Sequence, residues 1–234
     1  MIEHRDDVTD ANWRNDGELI AMVRRELRTA VVGDICDQVG LPRQFLPPDL
    51  RPLDPHARDV LAGRAMTVLE EDITTVPDDR HPWGKMLEAL DSLTLNDIYI
   101  CSGSVAPYAL FGELMSTAAL KRGAAGAICN GFVRDTHQIN ALAFSVYCRG
   151  SYGLDQRARG TVKEYRVPLL VGNVLIQPGD LIIGDVDGVV AVPRKHETEI
   201  ISKALEKARK ESIVRSELIE GMSTTEAFAR YGVL

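Results

Sequence analysis

A chain of 234 residues, 45% hydrophobic and 26% charged, is long enough to bury one substantial core and has the make-up of an ordinary globular protein. Its formal net charge of −7 and lack of a long basic block argue against a direct nucleic-acid surface, and no run approaches the roughly 18 apolar residues of a membrane span. Cys36, Cys101, Cys129 and Cys148 are widely spaced with no Cys-x-x-Cys, which argues against a zinc site and fits a reducing, cytoplasmic setting.

Residues 1–15 read as a flexible polar arm without the apolar core of a signal peptide, and residues 16–234 as one domain with a C-terminal helical extension. Asp16 is placed to cap a helix with Leu19, Met22, Val23 and Leu27 on its apolar face. Thr29 is placed to cap a second, carrying Val32, Ile35, Cys36 and Val39 and ending at Gly40. Pro42, Pro47, Pro48, Pro52 and Pro55 make residues 41–58 an irregular connection, and His56 a loop histidine. A strand follows over residues 60–69, with Gly63 as a bulge or close approach. Glu70, Glu71 and Asp72 then read as its solvated end. Residues 77–82 form a polar loop with His81. Residues 83–93 predict a helix with Met86, Leu87 and Leu90 inward, and residues 95–101 a strand leading to a Gly/Ser loop.

The next stretch carries the chemistry. A helix starts over Phe111-Gly112-Glu113-Leu114-Met115 and stops at Gly123; an apolar strand over residues 125–129 leads to Gly131-Phe132-Val133-Arg134-Asp135. The first turn of a helix leaves backbone N–H groups unpaired at its partially positive end, which suits a carboxylate or enolate oxygen. Arg134 adds a two-pronged donor for the same anion. Asp135 is a hard oxygen ligand suited to Mg2+ or Mn2+ that stays partly hydrated. Glu113 can orient a hydroxyl or move a proton. If the chain returns so that these groups share one pocket, they would hold a 2-oxo acid and stabilise its enolate. Taken alone, an Arg-Asp pair after a strand is more often a surface ion pair, a first-turn Glu is favourable for the helix dipole alone, and Gly112 can simply permit a tight turn.

Beyond Asp135, Thr136 is placed to cap a helix over residues 136–142, with His137 on its polar surface, and a strand covers residues 144–149. Arg149, Arg157, Arg159, Lys163 and Arg166 read as a charged surface, one of which could meet a second substrate carboxylate. Residues 162–193 predict short strands, with turns at Pro178-Gly179-Asp180 and Asp187-Gly188. Asp180, Asp185 and Asp187 read as turn residues before metal ligands. A long charged helix spans residues 196–218, and Ser223 or Thr224 caps a last one. Alternating strands and helices give an α/β class.

Glu113, twenty intervening residues and then Arg134-Asp135 resemble the signature of the RraA-like family, which includes 4-hydroxy-4-methyl-2-oxoglutarate/4-carboxy-4-hydroxy-2-oxoadipate aldolases. The resemblance extends to Ala62-Gly63-Arg64-Ala65-Met66-Thr67-Val68 and to residues 178–190. The aldolases usually carry Asp at the first position, so Glu113 departs by one methylene. The resemblance implies a three-layer β/β/α sandwich of the swivelling phosphohistidine-domain type, assembled as a homotrimer or homohexamer. It implies a metal-dependent lyase that releases pyruvate from a 4-hydroxy-2-oxo acid, with oxaloacetate decarboxylation as a side activity. Gly112, Glu113, Leu114, Met115 and Arg134 would bind the pyruvate end and Asp135 the metal, Mg2+ before Mn2+. Some members of the family instead regulate RNase E as binding proteins, without chemistry.

Overall fold

The computed structural model describes residues 13–75 and 81–233. Residues 1–12 of the expected arm and residues 77–80 of the expected loop lie outside them. Trp13, at the arm's end, packs against the terminal helices.

Nine strands form one mixed sheet. Its path is β1 (Arg51–Pro52), β6 (Ser145–Ser151), β5 (Gly126–Val133), β3 (Asp97–Ser102), β2 (Leu61–Asp72), β10 (Leu181–Asp185) and β11 (Gly188–Val192). Two further strands lie off that path: β4 (Ala109–Phe111) beside β5, and β7 (Gly160–Tyr165) beside β2. The central pairs β2–β3, β3–β5 and β5–β6 are parallel. Such pairs need crossovers, and α3 (Met86–Asp91), α4 (Glu113–Lys121) and α5 (Thr136–Ala141) lie in them. The sheet is nearly closed, because one proline-rich segment touches both of its ends: Phe45 bridges Val190 of β11, and Arg51 pairs with Cys148 of β6. The same prolines that predict irregular chain confine strand pairing here to two residues.

Period-two alternation divides the core. Leu61 and Ala65 of β2, with Ile98 and Ile100 of β3, face the interior of the curved sheet, where the hairpin of β8 (Leu169–Val171) and β9 (Val174–Ile176) adds Val171 and Ile176. Met66, Val68, Tyr99 and Cys101 face outward onto α3, α4 and α5. A third cluster joins Ala62, Leu181 and Ile183 to α1 (Asp16–Glu26), α2 (Thr29–Gln38) and α6 (Glu197–Ile219). The last helix, α7 (Thr224–Tyr231), is capped by Ser223, whose hydroxyl accepts from Glu226 N–H. No helix among the described residues is long and apolar enough to cross a membrane.

Several expectations are corrected. Asn15, not Asp16, caps α1, its side chain accepting from Glu18 N–H at 3.0 Å, while Asp16 accepts from Arg64 Nε at 2.8 Å. Thr29 is the first residue of α2. Its N–H and hydroxyl both donate to Asp185, at 2.8 and 2.7 Å, so a carboxylate remote in sequence supplies the cap. Asp185 pairs with Gly188, so the hairpin turn falls on Val186-Asp187, one residue earlier than expected, and only Gly188 takes positive φ. Asp180 accepts from the Gln177 and Arg194 N–H groups, the turn role expected of it. Leu87 points away from the core and is 55% exposed. Glu70, Glu71 and Asp72 lie inside β2, and Glu70 is 2% exposed rather than solvated, because β7 pairs over this end of the strand.

Candidate functional site

Strand β5 runs four residues past its expected end, to Val133, and β4 lies parallel beside that extension. Arg134 N–H donates to Phe111 O at 3.0 Å, which sets the exit of β5 against the entry of α4. Gly112 is the N-cap of that helix, with extended backbone at φ −151°. Its lack of a side chain therefore answers to space rather than to a turn: a Cβ there would lie 2.9 Å from Asp135 Oδ2. Asp135 is left-handed at φ 59°, a conformation that Asp tolerates better than most residues. Asp135 takes the N-cap position of α5 without a side-chain cap hydrogen bond, and Thr136, expected as the cap, is the first residue of the helix.

The parts expected to meet do meet. Asp135 Oδ2 accepts from Glu113 N–H at 3.3 Å and lies 3.7 Å from Arg134 Nε. Arg134 Nη1 is 3.3 Å from Asp155 Oδ1. Glu113 Oε1 accepts from the Thr117 hydroxyl at 2.8 Å. Gly112, Glu113, Leu114, Met115, Arg134 and Asp135 line one cavity of about 450 Å³ together with Asp155 and Gln156. Strand β4 lines it too, and its wall between α3 and α4 carries Trp83, Met86, Leu87, Leu90 and Ala118, with Asp91 as the one charged side chain there.

Asp155 and Gln156 carry no sequence signal; they precede β7, and the bridge of Asp155 to Ala109 of β4, with the pairing of β7 to β2, brings them to the site. Gln156 Nε2 donates to Glu70 Oε2 at 2.6 Å, linking the cavity to a carboxyl beneath it. Burial pushes the Glu70 carboxyl up to about 8, against the Gln156 hydrogen bond and reinforced by the nearby Asp72 charge. Glu70 Oε1 and the neighbouring Tyr99 hydroxyl are buried without a hydrogen-bond partner among the described residues. Asp72 instead fixes the loop into β4, accepting from Ser104 and Tyr108 hydroxyls and from Val105 and Ala106 N–H groups.

The other sequence candidates do not reach the cavity. Arg149 pairs with Asp49 at 2.9 Å, Arg166 with Asp97 at 3.1 Å and Lys163 with Glu71 at 2.9 Å. Arg159 donates to backbone carbonyls of Asp155 and Arg157. Neither these, nor Arg157, His81 or His137, line it. Among the described residues no three His, Cys, Asp or Glu side chains form a metal cage. A lone carboxylate such as Asp135 fits Mg2+, which keeps most of its waters, and does not fit zinc or calcium, which take fuller protein ligand sets.

An α/β pocket in which a helix start, an arginine and a carboxylate converge has the donors to take an anion. The RraA-like (Aldolase/RraA) family model matches residues 29–191, and the chain belongs to that family. A Halalkalibacterium halodurans protein bearing the name "Putative 4-hydroxy-4-methyl-2-oxoglutarate aldolase" is 29% identical over 184 residues, 78% of this chain and 80% of that one. An uncharacterised protein from Pseudomonas syringae superposes with a TM-score of 0.82 at 23% identity, over 93% of this chain and 95% of that one. Streptomyces coelicolor RraAS2, an unusual member of the RNase ES inhibitor RraA family, gives 0.73 at 24% identity, over 87% and 99%. These likenesses match a mixed α/β fold with a nearly closed sheet and terminal helices.

Proposed function

We propose that this protein is a divalent-metal-dependent lyase that cleaves a 4-hydroxy-2-oxo acid to pyruvate and a second carbonyl compound, with oxaloacetate decarboxylation as a side activity. The observation that carries the reading is the convergence of Arg134 and Asp135 with the start of α4 on one cavity, at a glycine whose Cβ would displace the Asp135 carboxylate. In this reading the substrate carboxylate lies against the first-turn N–H groups of α4 and the Arg134 guanidinium. Asp135 would hold Mg2+ or Mn2+, which when bound supplies Lewis-acid polarisation of the 2-oxo group. Arg134, oriented by Asp155, stays aimed at the oxygen on which negative charge develops. Glu113, steadied by Thr117, orients the C4 hydroxyl and takes its proton. The finer assignments implied by the family, the swivelling β/β/α sandwich and a trimeric or hexameric assembly, belong to the same proposal.

Incubation with Mg2+ and either 4-hydroxy-4-methyl-2-oxoglutarate or oxaloacetate is expected to release pyruvate. Arg134→Ala and Asp135→Ala are each expected to lower kcat/KM by at least ~100-fold with the fold intact. Failure to turn over any 2-oxo acid with Mg2+ or Mn2+, or full activity in either variant, rejects the reading. The alternative is an RNase E-binding regulator. The chain's net charge of −7 would suit a basic partner surface. A salt-titrated pull-down separates the two, and absence of any complex at low salt removes the second.

A further inference from the structure

Resting on the lyase reading, we propose that the group beyond C4 of the substrate is apolar rather than a second carboxylate. The cavity is chemically two-ended. Its anion-binding groups gather at the start of α4, where Gly112, Glu113, Arg134 and Asp135 meet. Away from them it runs between α3 and α4 along Trp83, Met86, Leu87, Leu90 and Ala118. Among the described residues Arg134 is the only cation that lines it, and the proposed pyruvate carboxylate claims that group. The charged residue that lines it on the α3 side is Asp91, which would repel a distal carboxylate and which already holds Arg122, the residue just past the end of α4. Of the arginines expected to meet a second carboxylate, Arg149, Arg166 and Arg159 are turned to Asp49, Asp97 and backbone carbonyls instead. A carboxylate taken into such a wall loses its water and, among the described residues, meets no second cation, whereas a methyl or aryl group gains by leaving water.

The chemistry is unchanged by this choice. The C3–C4 bond breaks, its electron pair passes to the pyruvate enolate, the C4 hydroxyl proton goes to Glu113, C4 becomes a ketone or aldehyde carbonyl, and C3 then takes up a proton.

The test compares two substrates that differ only at the distal group: 4-hydroxy-4-methyl-2-oxopentanoate, which gives pyruvate and acetone, and 4-hydroxy-4-methyl-2-oxoglutarate, which gives two pyruvates. With Mg2+ present, kcat/KM is expected to favour the methyl substrate by at least ~10-fold. Leu87→Arg places a guanidinium on this wall at an exposed position and is expected to move the ratio at least ~10-fold toward the dicarboxylate, mainly through KM. Leu87→Lys serves should the first variant not fold. A wild-type ratio at or below one, or a ratio that neither folded variant moves, overturns the inference and leaves the lyase reading standing. Pyruvate from neither compound and from no other 2-oxo acid overturns the lyase reading itself.

Discussion

Gly112 shows how little room the site leaves. Its backbone is extended, so alanine there meets no conformational penalty. The added methyl group would instead press on Asp135 Oδ2 at 2.9 Å and on the Arg134 side chain at 3.4 Å. Gly112→Ala is therefore expected to lower kcat/KM by about 10- to 100-fold, since a shift near 1 Å in a positioning group costs that much. Its effect on stability should stay under about 1 kcal/mol, because Asp135 is half exposed and can swing into water. Thermal melting beside pyruvate-release kinetics checks both halves; unchanged activity would mean that the position of Asp135 does not matter. At this scale the sequence was informative where function rests on adjacent residue types, as with Glu113, Arg134 and Asp135. It is silent on Asp155 and Gln156, whose places depend on how their segment and β7 pair with β4 and β2, and it misplaces Glu70, since three consecutive acids look like a solvated end until another strand covers them.

Elements are joined by a few long-range polar links. Arg64 of β2 donates to Asp16 at the start of α1 and to Glu197 at the start of α6, fastening these two helices to the sheet. These contacts hold the Asp16 carboxyl below the usual carboxylate range, the Arg64 hydrogen bond leading. Asp16 is half exposed and adds little on its own, whereas Glu197 is buried. Arg64→Ala would strand that buried carboxylate, a loss expected to cost roughly 3–5 kcal/mol, while Arg64→Met with Glu197→Leu should be far less harmful. Urea denaturation of both distinguishes the cases, and a cost below about 1 kcal/mol for Arg64→Ala would deny the link any structural weight. Apolar periodicity placed α1, α2, α4 and α6 and the central strands to within a few residues. Caps and turns were less legible, because Asp185 serves a helix distant in sequence and the β10–β11 register shifts the turn by one residue.

For the whole molecule, the buried Glu70 makes folding depend on pH in a direction opposite to that of most carboxylates. The cover from β7 and Gln156 keeps water from it, and burial pushes its carboxyl up to about 8 in the folded state. An unfolded glutamate releases its proton near pH 4.3. Between those values the native state holds a proton that the unfolded state has lost, so stability is greatest at the acidic end and falls as pH rises through the folded value. Asp180, also raised by burial, pushes the same way, whereas Asp16, Glu26 and Asp72 are lowered and cost stability only on strong acidification. Melting temperature is thus expected to decline from about pH 5 to about pH 8 in the wild type, and to decline less in Glu70→Gln, which still offers Gln156 an oxygen acceptor but has no proton to lose. Parallel declines in the two proteins would show that Glu70 is not held protonated by the fold.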